Sequence, residues 1–138
     1  MNNYRYIGCF VPAEQLFEQV QKLGKKRLGK IISTPHVTFA YRPESVDESL
    51  FGERILVRAV GYGSDGVNEG LLVELHTDNE RLAGMAARLP VPHITLSLGP
   101  DGKAVNTRFL DFAPISPFEL EGVFGGYDMR GNVVARRR

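Results

Sequence analysis

Tryptophan is absent from this chain of 138 residues, and cysteine occurs once, at Cys9. A single thiol closes no internal disulfide and builds no thiolate-rich zinc site. No apolar run approaches the roughly 20 residues that a membrane-spanning helix requires. The opening Met1–Tyr6 leads into a short apolar stretch broken by Gly8 and Pro12, unlike the long apolar segment of a secretory leader, so a cytoplasmic protein is the expectation. Low-complexity linkers are missing too. What is present, 43% hydrophobic and 24% charged residues, is the mixture of a globular protein. Residues 1–138 are read as a single domain, large enough to bury about two-thirds of its unfolded surface without a disulfide or metal.

The formal net charge of +1 conceals an uneven distribution. Residues 1–43 carry seven Lys/Arg against two Asp/Glu, residues 44–80 two against nine, and residues 81–138 eight against five. Lys25, Lys26, Arg27 and Lys30 are expected to border a nearby cleft, where they would steer a phosphate-bearing ligand. A solvated loop is the competing reading. The Arg136-Arg137-Arg138 tail reads as a frayed, solubilising end.

Strands and helices alternate along the chain. Tyr4–Val11 has strand composition, and Pro12 opens a helix to about Leu23 with Leu16, Phe17, Val20 and Leu23 on one face. The second half of Ile31–Tyr41 reads as a strand, as do Arg54–Tyr62, Leu71–Thr77, Pro92–Leu98 and Phe118–Phe124. Asp78 or Asn79 caps a helix to about Leu89. Strand, helix and a Pro-His strand thus occur twice in the same order. An α+β fold follows, with two related lobes of mainly antiparallel strands and helices packed outside.

Histidine is scarce, and its placement is the most specific signal in the chain. Two of the three histidines occupy one pattern, Pro35-His36-Val37-Thr38-Phe39 and Pro92-His93-Ile94-Thr95-Leu96. On a strand, side chains alternate faces, so His36 and Thr38 project together, away from Val37 and Phe39, and His93 and Thr95 do the same. With the lobes related by an approximate twofold, the pairs would face one another across a cleft. Two imidazoles suit acid–base chemistry on a phosphodiester: one accepts a proton while the other donates. Threonine hydroxyls can donate to non-bridging phosphate oxygens.

These paired segments resemble the 2H phosphoesterase superfamily, named for two His-x-Ser/Thr motifs. Separation of the motifs by 57 residues and the repeated strand–helix–strand order fit that bilobal fold with its central cleft. The surroundings "VGYGSDGVNEGLLVEL" and "FELEGVFGGYD" look like the small RNA-repair-associated or phage-type members. The resemblance implies hydrolysis of a 2′,3′-cyclic, 2′,5′-linked or cyclic-oligonucleotide phosphodiester, or RNA-end processing. His36 and His93 would be the acid–base pair and Thr38 and Thr95 the phosphate holders. The implied partners are a nucleotide, a cyclic nucleotide or an RNA terminus, with no cofactor, metal, membrane or DNA duplex, and a monomer. A module of the same fold that binds RNA ends or nucleotides without turnover is the alternative.

Other residues carry weaker expectations. Ser97 follows Thr95 on the site face by alternation and is a candidate phosphate donor. Tyr127, beside Gly125-Gly126, is a candidate substrate contact, whereas Phe124 and Tyr41 are expected in the core. His76 shares a strand face with Glu74 and reads as a surface histidine; a zinc site using it has no supporting spacing. An acid–base histidine pair predicts a bell-shaped pH profile, with its optimum in the region of pH 6–8.

Overall fold

The computed structural model describes residues 3–136, so Arg137 and Arg138 of the expected tail lie outside the described residues. The chain runs β1 (Tyr4–Phe10), α1 (Ala13–Gln21), β2 (Lys30–Ile31), β3 (His36–Tyr41), β4 (Arg54–Ser64), β5 (Asn68–His76), α2 (Glu80–Ala87), β6 (His93–Leu98), β7 (Ala113–Asp128) and β8 (Val133–Val134). Two 3-10 turns, Glu48–Leu50 and Ala104–Phe109, complete it. The fold is α+β. One sheet has the order β2-β6-β5-β4-β7-β1-β3, with β8 paired to β7, and every pairing is antiparallel.

Local chemistry explains the elements. Leu16 and Val20, one helical turn apart, are both fully buried and fix the face of α1. Gly24, at φ +71°, adopts the left-handed conformation beyond its end. In α2, Asn79 Oδ1 accepts from Leu82 N at 3.0 Å, capping the first turn, and Leu82 is buried. The β4–β5 hairpin turns on Asp65, whose Oδ1 accepts from Val67 N and Asn68 N at 2.9 and 2.7 Å, and on Gly66 at φ +82°. β4 continues through Gly61 and Gly63, because residues 110–113 pack where their side chains would stand. Both helices cover one apolar layer, which includes Val37, Ile55, Val57, Leu71, Ile94, Leu96 and Phe124.

Two irregularities shape the strands that carry the Pro-His motifs. Gly8 pairs with Thr38 and Ile7 with Ala40, so Phe39 is an extra residue on β3. Gly70 pairs with Thr95 and Glu69 with Ser97, so Leu96 is an extra residue on β6. Each is a β-bulge directly after the motif threonine, and each reverses the alternation beyond it. The glycines opposite are required by close approach. A Cβ on Gly8 would lie 2.1 Å from the Val37 carbonyl oxygen, and one on Gly70 2.8 Å from that of Ile94.

The two edge strands, β2 and β3, are consecutive in the chain. Ile32 N donates to Leu96 O at 3.0 Å, and Pro35 O accepts from Val11 N at 3.2 Å. Residues 32–35 therefore carry the backbone from the β6 side to the β1–β3 side, and β3 approaches β6 without pairing with it.

Candidate active site

A cavity of about 650 Å³ opens at this seam, lined by His36, Thr38, His93 and Thr95. Val37 and Ile94, between them, are buried on the other side. Both imidazoles are held in one way. His36 Nδ1 lies 2.9 Å from Thr34 O, and His93 Nδ1 lies 2.7 Å from Val91 O. A carbonyl oxygen only accepts, so Nδ1 carries the hydrogen in each ring, and Nε2 is the nitrogen left for proton transfer. The prolines explain the geometry. A residue before proline is confined to extended backbone, which directs the carbonyls of Thr34 and Val91 at the imidazoles two residues on.

The surroundings of the two rings differ. His36 stacks on Tyr6, with centroids 4.3 Å apart and planes 18° apart, and Tyr6 stacks in turn on Tyr127 at 5.0 Å. Tyr6 Oη also lies 3.4 Å from His36 Nδ1. His93 feels the charge of Arg108, which lines the cavity with Lys103. Burial pulls the pKa of His36 below its usual value, opposed by the Thr34 hydrogen bond and aided by the charge of His93. Burial does the same to His93, opposed by the Val91 bond and aided by Arg108.

Ser97 and Tyr41 exchange their expected places, and the bulges are the reason. Beyond Leu96, Ser97 turns away from the cavity. It is fully buried, accepts from Leu28 N at 2.8 Å and donates to Glu69 Oε1 at 2.6 Å, so its hydroxyl is committed. Beyond Phe39, Ala40 packs on the core, and Tyr41 swings to the cavity wall, 67% exposed. The expectation of a core Tyr41 is thus reversed. Tyr127 stands behind His36 as the outer ring of the stack and is not among the cavity residues. Phe124 is in the core.

The basic segment takes another course as well. The chain after α1 crosses to β6 instead of remaining beside the first motif. Arg27 is paired at 2.6 Å with Glu69, a fully buried carboxylate that also accepts from Tyr62 and Ser97. Lys25 Nζ lies 6.0 Å from the Tyr62 ring centroid. None of Lys25, Lys26, Arg27 and Lys30 lines the cavity; its cations are Lys103 and Arg108, at the turn Ala104–Phe109. They are the only cations between Arg88 and Arg130, a signal available in the sequence. His76 is elsewhere, in an open cavity of about 620 Å³ with Arg54, Asp78 and Glu121. Among the described residues no group of three or more His, Cys, Asp or Glu is placed to hold a metal ion. No helix there is long and apolar enough to cross a membrane.

No protein-family model matches this chain, and no curated protein matches it.

Proposed function

We propose that this chain is a metal-independent phosphodiesterase of the 2H type, acting on a 2′,3′-cyclic, 2′,5′-linked or cyclic-oligonucleotide phosphodiester or on an RNA end. The observation that carries the reading is the matched pair of histidines in one cavity, each bonded through Nδ1 to the carbonyl two residues before it. The sheet supports a bilobal arrangement: β1 and β3 with α1 on one side, β5 and β6 with α2 on the other, and β4 beside β7 between them.

In hydrolysis, Nε2 of one neutral histidine takes a proton from water, whose oxygen attacks phosphorus. Nε2–H of the other, protonated histidine donates to the leaving oxygen as its bond to phosphorus breaks. Thr38 and Thr95 donate to the non-bridging oxygens, and Arg108 and Lys103 attract the charged phosphate. The exposed ring of Tyr41, with the Arg42 guanidinium 5.7 Å from its centroid, offers a nucleobase a stacking surface at the rim.

A panel of 2′,3′-cyclic nucleotides, 2′,5′-linked oligonucleotides and cyclic dinucleotides, assayed in EDTA, tests the proposal. Turnover of one class is expected, and His36→Ala or His93→Ala should lower kcat by on the order of 100-fold or more while the protein remains folded. Activity abolished by EDTA and restored by zinc would overturn the two-histidine mechanism. Tight nucleotide binding without turnover would favour the binding module instead.

A further inference from the structure

The two threonines of the cavity are not equivalent. Thr38 has no side-chain hydrogen-bond partner among the described residues. Thr95 Oγ1 lies 2.7 Å from Oγ1 of Thr107, on the 3-10 turn after β6. Thr107 is fully buried and Asn68 nearly so, so the hydrogen-bonding capacity of both must be met internally.

The chemistry of the partners sets the direction of this chain of bonds. Lys103 O, 2.7 Å from the Asn68 side-chain amide, can only accept, so the atom facing it is the amide nitrogen. The same nitrogen donates its second hydrogen to Thr107 Oγ1 at 3.0 Å. The hydrogen of the buried Thr107 hydroxyl needs an acceptor, and among the described residues Thr95 Oγ1, which spends its own hydrogen on Ala104 O, is the one within reach. Thr95 thereby becomes an acceptor from behind, and its hydrogen turns outward. Its partner in the free protein is Ala104 O at 3.3 Å, a long bond that a phosphate oxygen readily replaces. The methyl of Thr107 is fixed as well: it sits where Gly70 lacks a side chain, 2.3 Å from the position a Cβ would take.

We propose that Asn68 and Thr107 form a one-way hydroxyl relay that positions Thr95 as the preset phosphate donor of the site, leaving Thr38 to adjust on binding. In its catalytic consequence this rests on the phosphodiesterase reading; in its structural content it does not. Asn68 and Thr107 are positioning residues, since neither reaches the cavity. Donation from Asn68 polarises Thr107 and strengthens the next bond, so a charged oxygen met by Thr95 draws on the whole chain.

The test combines a rotamer measurement with kinetics. Three-bond couplings from the Thr95 methyl carbon to its backbone nitrogen and carbonyl carbon report the side-chain torsion by NMR without any substrate. A single rotamer is expected in the wild-type protein and in Thr107→Ser, and averaging in Thr107→Val. For the substrate class turned over, Thr107→Val should lower kcat on the order of tenfold with little change in KM. It should cost nothing further in a Thr95→Val background, but its full effect beside Thr38→Val. Asn68→Asp gives a second route that retains every hydroxyl. A carboxylate accepts from Thr107, the relay reverses, and kcat should fall as in Thr107→Val. A Thr95 torsion equally fixed in Thr107→Val, or an undiminished kcat in folded Asn68→Asp, would overturn the relay. Averaging of Thr95 in Thr107→Val, with no substrate turned over by the wild-type protein, would uphold the relay and sink the phosphodiesterase reading.

Discussion

At the scale of single residues, burial favours the neutral form of both histidines. Their ordinary pKa is about 6.5, and burial lowers both, with the charge of His93 acting on His36 and that of Arg108 on His93. A mechanism needing one charged and one neutral imidazole then runs best where the coupled pair holds a single proton, between two macroscopic pKa values that burial shifts downward. The optimum of kcat/KM, which reports the free enzyme, is therefore expected on the acid side of pH 6.5. A bound phosphate anion favours the imidazolium, so the kcat profile should lie at higher pH than that of kcat/KM. Coincident profiles centred above pH 7 would show that the pair titrates as if exposed.

At the scale of elements, regular periodicity is what a sequence displays. The helix over 13–21 was legible from Leu16 and Val20, because it buries one stripe, and that over 80–87 from its cap, Asp78 or Asn79, of which Asn79 makes the capping bond. The common face of His36 and Thr38, and that of His93 and Thr95, was legible because no irregularity intervenes between either histidine and its threonine. The bulges at Phe39 and Leu96 were not, since an extra residue leaves the local pattern looking continuous, and so Ser97 and Tyr41 were expected on the wrong sides. The turn over 104–109, which brings Thr107 and Arg108 to the site, has no apolar period. The two-residue strand β2 is too short to show one.

The glycines opposite the bulges test this account. Gly8→Ala would push a methyl against the Val37 backbone, which cannot rotate aside. A loss of roughly 1–3 kcal/mol is expected, measured by denaturant unfolding. Gly84→Ala is the contrast. It lies inside α2, with nothing within 4 Å of the added Cβ, and should stabilise by about 0.5–1 kcal/mol through backbone entropy.

For the molecule as a whole, the same histidines tie stability to pH. Because the folded protein holds them below their unfolded pKa, the unfolded chain binds more protons as the solution is acidified. Their contribution is intact above about pH 6.5 and is lost as pH falls through that value towards the lowered folded ones. The thermal midpoint should decline between pH 7 and pH 5, and the decline should be shallower in a His36→Gln/His93→Gln variant. Parallel slopes in the two proteins would show that the histidines do not set this decline; Asp47 and Asp65, whose carboxyls are held below their usual value by the hydrogen bonds they accept, lose their contribution only at lower pH, below the ordinary carboxyl value of about 3.9.

Residues 32–35 have a mechanical consequence. The ribbon bonded to β6 at Ile32 becomes, four residues later, the strand bearing His36. It acts as a tether across the mouth between the histidine strands. Four residues fully drawn out reach no more than about 14 Å, so a covalent length, not side-chain packing, caps how far those strands can part. The limit on the width of the mouth is then a property of the backbone. It would survive changes to the cavity walls, and inserted residues at Ser33 would relax it.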